Sequence, residues 1–338
     1  MSVFRRFWAG ARALFERVLG RRAPQPGRFE SGSKGSFLGF LTTAPWVLPR
    51  RDYLVYVPKG HARWQWRRRP LIVLLHGCRQ TPEVVAAATR IAALADELSC
   101  LVLLPRQKER ANPWGCWNWF EWNTARGWGE CAIVAAQIRR VRWRYRVDRR
   151  RVVVAGLSSG GGLAAVLGVR RPDLVAGVFV HSGVAGAAAV SPLTALTVLK
   201  SGADRNVAQV GLAARERAAP TDLPVPLLTI QGDRDDVVAP VNAAQLVRQY
   251  LALNGHPAAA AGGAAELPAV DSTQIAPLNG RIVTTCEWRH EGRLVARYVR
   301  VDALGHAWSG GDAAYPYNDP APPDATALLG SFVREVAT

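Results

Sequence analysis

The stretch GLSSGGG, at residues 156–162, places two serine hydroxyls, which could act as nucleophiles, among glycines. It contains G-x-S-x-G with Ser158 at its centre, directly follows the apolar run RVVVA and opens a segment that fits a helix. A strand, a sharp turn and a helix in this order expose a serine hydroxyl and place the positive end of the helix beside it. The pattern favours Ser158 as a nucleophile, and a plain glycine-serine turn is the alternative if no partners are found.

Two further residues have the types and the chain order that a nucleophilic serine needs. Asp235 stands in GDRDDVV after a predicted strand, and His306 stands in LGHAWSGG after the last predicted strand. In this order the histidine takes the serine proton and the carboxylate orients the histidine. Asp233 and Asp236 are rivals for the acid, and the G-x-x-D spacing favours Asp235. Among the other histidines, His181 ends a strand too early in the chain to serve.

The stretch LLHGCRQ, at residues 74–80, follows another predicted strand and offers backbone N–H groups to a developing negative charge. In folds with this strand order one such donor comes from a loop after the third strand, and the other follows the nucleophile. We assign the two donors to the backbone amides of Cys78 and Ser159. The thiol of Cys78 is a competing nucleophile, but no glycine elbow surrounds it.

Strands and helices alternate from Tyr53 onward, and this alternation predicts the frame that carries these residues. The predicted strands are YLVYV, LIVLL, LVLLP, RVVVA, AGVFVHS and PLLTI, with helices around 82–98, 129–145, 159–170 and 240–254, and a final hairpin of RIVTTCEW and RLVARYVRV. Continuous apolar strands separated by helices indicate a parallel sheet that is covered on both faces. The predicted class is α/β, a doubly wound, mostly parallel sheet with helices on both faces, whose strand ends carry the candidate residues.

Six collinear motifs give the sequence a resemblance to a known family. They are HGCRQT, LPRQ…ANPWGCWNWF, RGWGE, VDRRRVVVAGLSSGGG, GDRDDVV and LGHAWSGG, and the similarity runs from about Ser36 to the C-terminus. In these motifs the chain resembles the esterase/poly(3-hydroxybutyrate) depolymerase family. The resemblance implies an α/β-hydrolase fold, Ser158, Asp235 and His306 as a catalytic triad, and an oxyanion hole near Cys78. It also implies carboxylic ester substrates such as short-chain polyhydroxyalkanoates.

The chain departs from the family pattern at Gln231, where relatives commonly have histidine, and at Ser159, where they often have alanine. Neither side chain is expected to transfer a proton. Secreted members carry a signal peptide and a polymer-binding domain that we do not see, so oligomers, amorphous polymer or small esters are the expected substrates. Acetyl or feruloyl ester hydrolysis on polysaccharide is the alternative, and a non-catalytic surface-binding protein on a hydrolase scaffold is the alternative of another class.

Aromatic residues are concentrated in NPWGCWNWFEW, at residues 112–122. Such density is typical of an apolar acyl pocket, and an aromatic core that anchors loops is the other interpretation. As candidates for the pocket wall we take Trp117, Trp119 and Trp308, the last of which stands two residues past His306. The sequence indicates no metal site, and no cofactor is expected.

The net charge of +17, from 43 basic and 26 acidic residues, predicts an anionic partner. No nucleic-acid-binding motif accompanies the charge, so nucleic acid is not the expected partner. Residues 1–47 are predicted to form a basic amphipathic helix, at 3–19, and a linker, and residues 48–338 the catalytic domain. The helix predicts contact with an anionic granule or membrane surface, and packing against the body of the protein is the alternative.

The five cysteines, Cys78, Cys100, Cys116, Cys131 and Cys286, contain no C-x-x-C pair, so neither zinc nor a disulfide scaffold is predicted. Five reduced and mostly buried thiols are the expectation, and a bridge between Cys78 and Cys116 is left open. We find no membrane span or signal-peptide pattern, which predicts a soluble, cytoplasmic protein that associates with granules or membranes through its helix. An extracellular location, as for some family members, is the alternative.

Overall fold

Ten of the strands in the described part of the chain form a single sheet. The computed structural model describes residues 26–40, 48–61, 68–222 and 224–336. The sheet strands are β1 (Arg28–Gly35), β2 (Arg50–Val57), β3 (Arg69–Leu75), β4 (Leu101–Pro105), β5 (Val147–Leu157), β6 (Gly177–His181), β7 (Leu227–Gly232), β8 (Ser272–Leu278), β9 (Arg281–His290) and β10 (Arg293–Val301). The short strands β11 (Trp308–Ser309) and β12 (Asn318–Asp319) pair with each other.

Helices connect these strands and cover the sheet. The α-helices are α1 (Pro82–Ala88), α2 (Ile91–Leu98), α3 (Trp122–Ala125), α4 (Gly129–Arg144), α5 (Ser159–Arg170), α6 (Pro192–Ser201), α7 (Val207–Arg217), α8 (Val241–Asn254) and α9 (Ala325–Val336). Three short 3-10 helices lie at Phe37–Phe40, Pro220–Asp222 and Pro257–Ala259. No helix within the described ranges is long and apolar enough to cross a membrane.

The sheet has the strand order β1-β2-β4-β3-β5-β6-β7-β10-β9-β8. Its six central strands, from β4 to β10, run parallel, and the pairs at both flanks run antiparallel. Leu71 and Val73 of β3 belong to one buried apolar cluster, while Ile72 and Leu74 belong to another. Because successive residues of a strand point to opposite faces, the sheet has a core on each side. The predicted doubly wound α/β sheet is confirmed.

The prediction of one continuous helix over residues 82–98 is wrong, because the structure has two helices there, α1 and α2. Arg90, between the two, has a φ of 53°, in the left-handed region that ends an α-helix. Its guanidinium donates to the carbonyl of Gly310 at 2.5 Å and pairs with Asp324 at 3.3 Å. These partners lie more than two hundred residues away, so the apolar periodicity of the segment gave no sign of the break.

The predicted linker also needs correction, because it contains strand β1. All eight residues of β1 pair with β2, from Arg28 opposite Val57 to Gly35 opposite Arg50. Pairing with a neighbouring strand satisfies the backbone groups of a segment whose own sequence is mostly polar. A domain boundary between residues 47 and 48 is therefore wrong, since residues 28–35 belong to the sheet. The helix predicted at residues 3–19 lies outside the described residues.

The strands at the two edges of the sheet differ in character. Among the described strands, β8 pairs with β9 alone, and its side chains are mostly exposed, including Ile275. Pro277, near the end of β8, has no N–H group. At the opposite edge, β1 carries Arg28 and Lys34 near its two ends.

Candidate active site

Ser158 lies between the end of β5 and the first residue of α5, in a backbone conformation that non-glycine residues rarely adopt. Its φ is 57° and its ψ is −120°, and its N–H donates to the carbonyl of His181 at 2.9 Å. A Cβ atom added to Gly160 would lie 2.3 Å from the carbonyl oxygen of Leu75, and one added to Gly156 would lie 2.3 Å from the backbone of Gly160. Only glycine fits at these two positions, and the close packing that they permit holds the serine in its turn.

His306 and Asp235 are in direct contact. Nδ1 of His306 lies 3.0 Å from Oδ1 and 2.9 Å from Oδ2 of Asp235. The side chain of Asp235 has no exposed surface, and that of His306 is 8% exposed. Asp235 follows β7 and His306 follows β10, and these two strands are parallel neighbours in the sheet. Their adjacent carboxyl ends bring together two residues that are 71 positions apart in the chain.

The Asp235 carboxylate is surrounded by donors. Its Oδ1 accepts the N–H groups of Val237, at 3.0 Å, and Val238, at 2.8 Å, and its Oδ2 accepts Nε2–H of Gln231 at 3.1 Å. Burial alone would raise the pKa of Asp235, but the hydrogen bond from His306, the charge of that ring when it is protonated, and further donors bring the pKa below its usual value. An ionised carboxylate can only accept, so Nδ1 of His306 must be the donor.

The other two aspartates of GDRDDVV have different partners. Oδ1 of Asp233 accepts the N–H of Ala303 at 2.7 Å, which ties the loop after β7 to the loop after β10. The backbone carbonyl of Asp236 accepts the ammonium of Lys200 in α6. Of the three aspartates, the structure brings Asp235 to His306.

In the loop after β3, the backbone N–H groups on both sides of Cys78 have acceptors. The N–H of Gly77 donates to Oε1 of Gln80 at 2.8 Å, and that of Arg79 donates to the carbonyl of Trp114 at 2.8 Å. The N–H of Cys78, between them, finds no acceptor among the described residues. The N–H of Ser159 opens α5, where the first donors have no partner within the helix. These are the two amides that the sequence assigned to the oxyanion site.

Cys78 forms a disulfide with Cys116, and the expectation of five reduced thiols is therefore wrong. The two residues stand 38 positions apart in the chain, and their Cα atoms lie 4.2 Å apart. The fold brings the loop after β3 against the tryptophan-rich segment, and the spacing of cysteines along the chain does not reveal such a contact. Cys100, Cys131 and Cys286 are free and buried.

Motif residues behind the disulfide hold both of its loops in place. Nε2–H of Gln107 donates to the carbonyl of Cys116 at 2.9 Å and to Oε1 of Glu130 at 2.5 Å. The N–H of Gln107 donates to Nε2 of His76 at 3.2 Å, and Nδ1–H of that ring donates to the carbonyl of Gly77 at 2.8 Å. Burial is the main reason why the pKa of His76 falls to about 4, so the ring is neutral near pH 7.

The predicted pocket tryptophans need correction. Trp117 and Trp308 have no exposed surface and Trp119 is 3% exposed, so none of them lines an open cleft. Trp308 stacks on His181 and donates its Nε1–H to the hydroxyl of Thr326 at 3.1 Å. Large aromatic rings fill the core as readily as they line a pocket, and their positions in the chain do not separate the two roles.

Trp122, from the same segment, is half exposed and was not selected from the sequence. It lines a cavity of about 530 Å³ together with residues 188–190, which follow β6, and residues of α6. Trp122 is the one aromatic residue among the described residues that line this cavity. Within the described part of the chain, no three His, Cys, Asp or Glu side chains form a group that could hold a metal ion.

A mostly parallel sheet, a serine in a tight turn between a strand and a helix, and an aspartate and a histidine after later strands together define the α/β-hydrolase class of proteins. Solved structures agree with this fold. The acetyl xylan esterase from Aspergillus awamori aligns with a TM-score of 0.63 over 82% of this chain and 94% of that one, at 18% identity. The chain belongs to the esterase PHB depolymerase family, whose model matches residues 51–269.

Similar sequences include two kinds of esterase. The chain is 32% identical to poly(3-hydroxyalkanoate) depolymerase C of Paucimonas lemoignei over 188 residues, which are 55% of this chain and 45% of that protein. It is 30% identical to feruloyl esterase B of Neurospora crassa over 129 residues, which are 37% of this chain and 44% of that protein. The chain spans less than half the length of either curated relative.

Proposed function

We propose that the protein is a serine esterase that hydrolyses carboxylic esters through an acyl-enzyme formed on Ser158. The observation that carries this proposal is the contact between the buried Asp235 carboxylate and Nδ1 of His306. It fixes the tautomer, because a neutral imidazole that is protonated on Nδ1 leaves Nε2 free to accept a proton. The strained turn at Ser158 supports the assignment, since such conformations are typical of functional residues.

In the proposed reaction, Oγ of Ser158 attacks the carbonyl carbon of the ester as Nε2 of His306 takes the hydroxyl proton. A bond forms between Oγ and that carbon, and the carbonyl electron pair moves to its oxygen. The N–H groups of Cys78 and Ser159 stabilise this oxyanion. When the pair returns, the bond to the alcohol oxygen breaks and the alcohol leaves with the proton from His306. Water then repeats the sequence on the acyl-enzyme and releases the acid.

For the substrate we propose poly- or oligo(3-hydroxyalkanoate) esters. The family and the depolymerase of Paucimonas lemoignei support this choice. Acetyl or feruloyl esters of polysaccharide are the second candidate, which the feruloyl esterase of Neurospora crassa supports. Initial rates on hydroxybutyrate oligomers, p-nitrophenyl esters of graded acyl length and feruloyl esters separate the two. We expect the highest kcat/KM on the oligomers, and a preference for feruloyl or acetyl esters would favour the second candidate.

Labelling with a fluorophosphonate tests the reaction type. An activated serine reacts quickly, and a non-catalytic protein on the same scaffold would not react. We expect the wild-type protein to be labelled at one site and Ser158→Ala to lose both labelling and ester hydrolysis. Ser159→Ala is the matched control, because it removes a neighbouring hydroxyl and keeps its backbone N–H. An active Ser158→Ala variant would refute the proposed nucleophile.

For the N-terminal residues, which lie outside the described ranges, we propose adsorption to an anionic surface such as a granule or membrane. Phe4, Phe7 and Trp8 would enter the apolar boundary while the arginines stay hydrated. Deletion of residues 1–24 should weaken binding to anionic vesicles, most at low salt, and leave hydrolysis of a soluble ester within about twofold. An equal loss on soluble and particulate substrates would instead indicate that the helix packs against the enzyme.

For the location of the protein, the disulfide between Cys78 and Cys116 supports the extracellular alternative over the cytoplasm. Disulfides persist in oxidising compartments, whereas cytosolic thiols are kept reduced. Cell fractionation combined with alkylation of free thiols tests this proposal. We expect the bridged form outside the cytoplasm, and a fully reduced protein in the cytosol would restore the original expectation.

A further inference from the structure

His181, the last residue of β6, lies against the segments that carry both Ser158 and His306. Its carbonyl accepts the N–H of Ser158 at 2.9 Å. Its ring stacks on that of Trp308, with centroids 5.4 Å apart and planes inclined by 27°, and Trp308 stands two residues after His306. The His181 side chain has no exposed surface, so these contacts are fixed by the surrounding core.

The hydrogen bonds of the ring define its tautomer. Nε2 of His181 accepts the N–H of Ser309 at 3.2 Å. Burial, together with the nearby charge of His306, lowers the pKa of His181 to about 3, so the imidazole is neutral near pH 7. A neutral ring that accepts at Nε2 carries its one proton on Nδ1, and Nδ1 lies 3.1 Å from the hydroxyl oxygen of Ser182. The ring therefore donates to Ser182.

Ser182 connects His181 to the strand that precedes Asp235. It is completely buried, and its N–H donates to the carbonyl of Ile230, at the end of β7. Since its hydroxyl oxygen accepts the hydrogen bond from Nδ1–H of His181, its own O–H is available to donate to another acceptor. The Ser182 hydroxyl is among the donors that lower the pKa of Asp235. Hydrogen bonds thus lead from Ser309 through His181 to Ser182, whose N–H bonds to Ile230 of β7, the strand that precedes Asp235.

We propose that His181 is a positioning residue of the esterase site: its backbone carbonyl holds Ser158, and its neutral imidazole holds the segment after His306, through Trp308 and Ser309, against the end of β6. This inference rests on the proposed function. His181 contacts no reacting atom and transfers no proton in that mechanism, so it acts on the rate through geometry alone. A displacement of about 1 Å in a reacting group can reduce a rate by about 10²-fold.

The variant His181→Leu tests the proposal, with Phe179→Leu as the matched control. Phe179 lies on the same strand and also packs its ring on Trp308, at 5.6 Å, but its side chain forms no hydrogen bond. We expect His181→Leu to lower kcat on a soluble p-nitrophenyl ester by about 10–100-fold with KM within about twofold. The rate constant of fluorophosphonate labelling should fall in proportion, while the fraction of protein finally labelled stays complete.

A structural role alone would reduce the labelled fraction in both variants and leave the rate constant of the remaining folded protein unchanged. Two conservative variants extend this comparison, and they take the place of His181→Leu if that variant does not fold. In His181→Asn the amide lies near Nδ1 and keeps the donor to Ser182, and in His181→Gln it lies near Nε2 and keeps the acceptor for Ser309. We expect each to recover part of the rate constant.

Two outcomes would overturn the proposal. In the first, His181→Leu is labelled at the wild-type rate, or no more slowly than Phe179→Leu. In the second, neither conservative variant reacts faster than His181→Leu. If the wild-type protein itself is not labelled, the proposed function fails and this inference fails with it. That result is distinct, because the wild-type rate is measured before any variant is compared.

Discussion

The disulfide sulfur of Cys78 lies 3.4 Å from the hydroxyl oxygen of Ser159. The two residues assigned to the oxyanion site are therefore in contact through their side chains, although 81 positions separate them. The same hydroxyl accepts the N–H of Trp117 at 3.3 Å, next to the second cysteine of the bridge. The serine that departs from the family pattern thus links the start of α5 to both ends of the disulfide.

Removal of this disulfide should lower both stability and activity. A bridge that closes a loop of this length typically contributes about 3–4 kcal/mol to the free energy of unfolding. Loss of the bridge also frees the Cys78 amide, so we expect Cys116→Ser, or treatment with dithiothreitol, to reduce kcat by about tenfold. Thermal unfolding and initial rates measure the two effects.

The double variant Cys78→Ser/Cys116→Ser is the control for reduction, since dithiothreitol should not change its rate. Full wild-type activity after a thiol assay has counted two new thiols would contradict the link between the bridge and the oxyanion site.

Replacement of Asp235 by asparagine should reduce kcat by about 10³–10⁴-fold. An asparagine amide can present its NH₂ group to Nδ1, which favours the tautomer that is protonated on Nε2 and unable to accept the serine proton. Asp233→Asn is the matched control in the same loop, because Asp233 bonds to the N–H of Ala303 instead of the histidine. Steady-state kinetics at saturating substrate measure the difference, and equal losses in both variants would leave the acid unassigned.

A methyl group at Gly160 should lower both the stability of the fold and the activity. Its Cβ would lie 2.3 Å from the carbonyl oxygen of Leu75 and 2.6 Å from that of His76, and neither backbone atom can move without displacing β3. We expect Gly160→Ala to lower the free energy of unfolding by about 1–3 kcal/mol and to reduce kcat. In the control Gly263→Ala the nearest atoms belong to the flexible side chain of Glu266. Urea unfolding compares the two, and equal stability would show that the elbow tolerates a side chain.

Stability should decline as the pH falls from about 6.5 towards 4. Burial lowers the pKa of His76 to about 4 and that of His181 to about 3, from an ordinary value of 6.5. In this range the unfolded chain binds a proton on each histidine and the folded chain does not, so acid favours unfolding. Each group contributes up to about 1.4 kcal/mol per pH unit.

Urea unfolding at several pH values measures this slope. The variant His76→Gln cannot be protonated, so its stability should change less steeply with pH than that of the wild type. Leu75, the last residue of β3, precedes His76 in the chain. The variant Leu75→Ala should lower the free energy of unfolding by a similar amount at every pH and keep the wild-type slope of stability against pH. If the slope of His76→Gln equals that of the wild type, His76 is not the group that titrates.

The structural features that the sequence predicted well are those with a local signal. Ser158 stands among glycines after an apolar strand, and Asp235 and His306 each follow a strand at a recognisable spacing. The structure brings Asp235 and His306 into contact, as that order predicts. The parallel sheet was predictable for the same reason, because strands that are buried on both faces have continuous apolar sequences.

The parts that the sequence did not reveal depend on contacts between distant segments. His181 was set aside as a residue at the end of a strand, yet its ring bonds to Ser309, which is 128 positions away. Trp308 follows His306 closely in the chain, but its ring packs between Phe179 and His181 and not on a cleft. Neither periodicity nor spacing predicts which distant ring a side chain will contact, because tertiary packing determines that contact.

The two edge strands bear on how copies of this protein behave towards each other. A sheet edge offers unpaired backbone groups to which a strand of another molecule can add, and an apolar edge side chain such as Ile275 makes that addition more favourable. Pro277 interrupts the row of donors on β8, and β1 carries the charged side chains of Arg28, Glu30 and Lys34, the first two of which form an ion pair. Both features oppose edge-to-edge association of the described sheet, so we expect copies of the protein not to polymerise through these two strands in a concentrated solution.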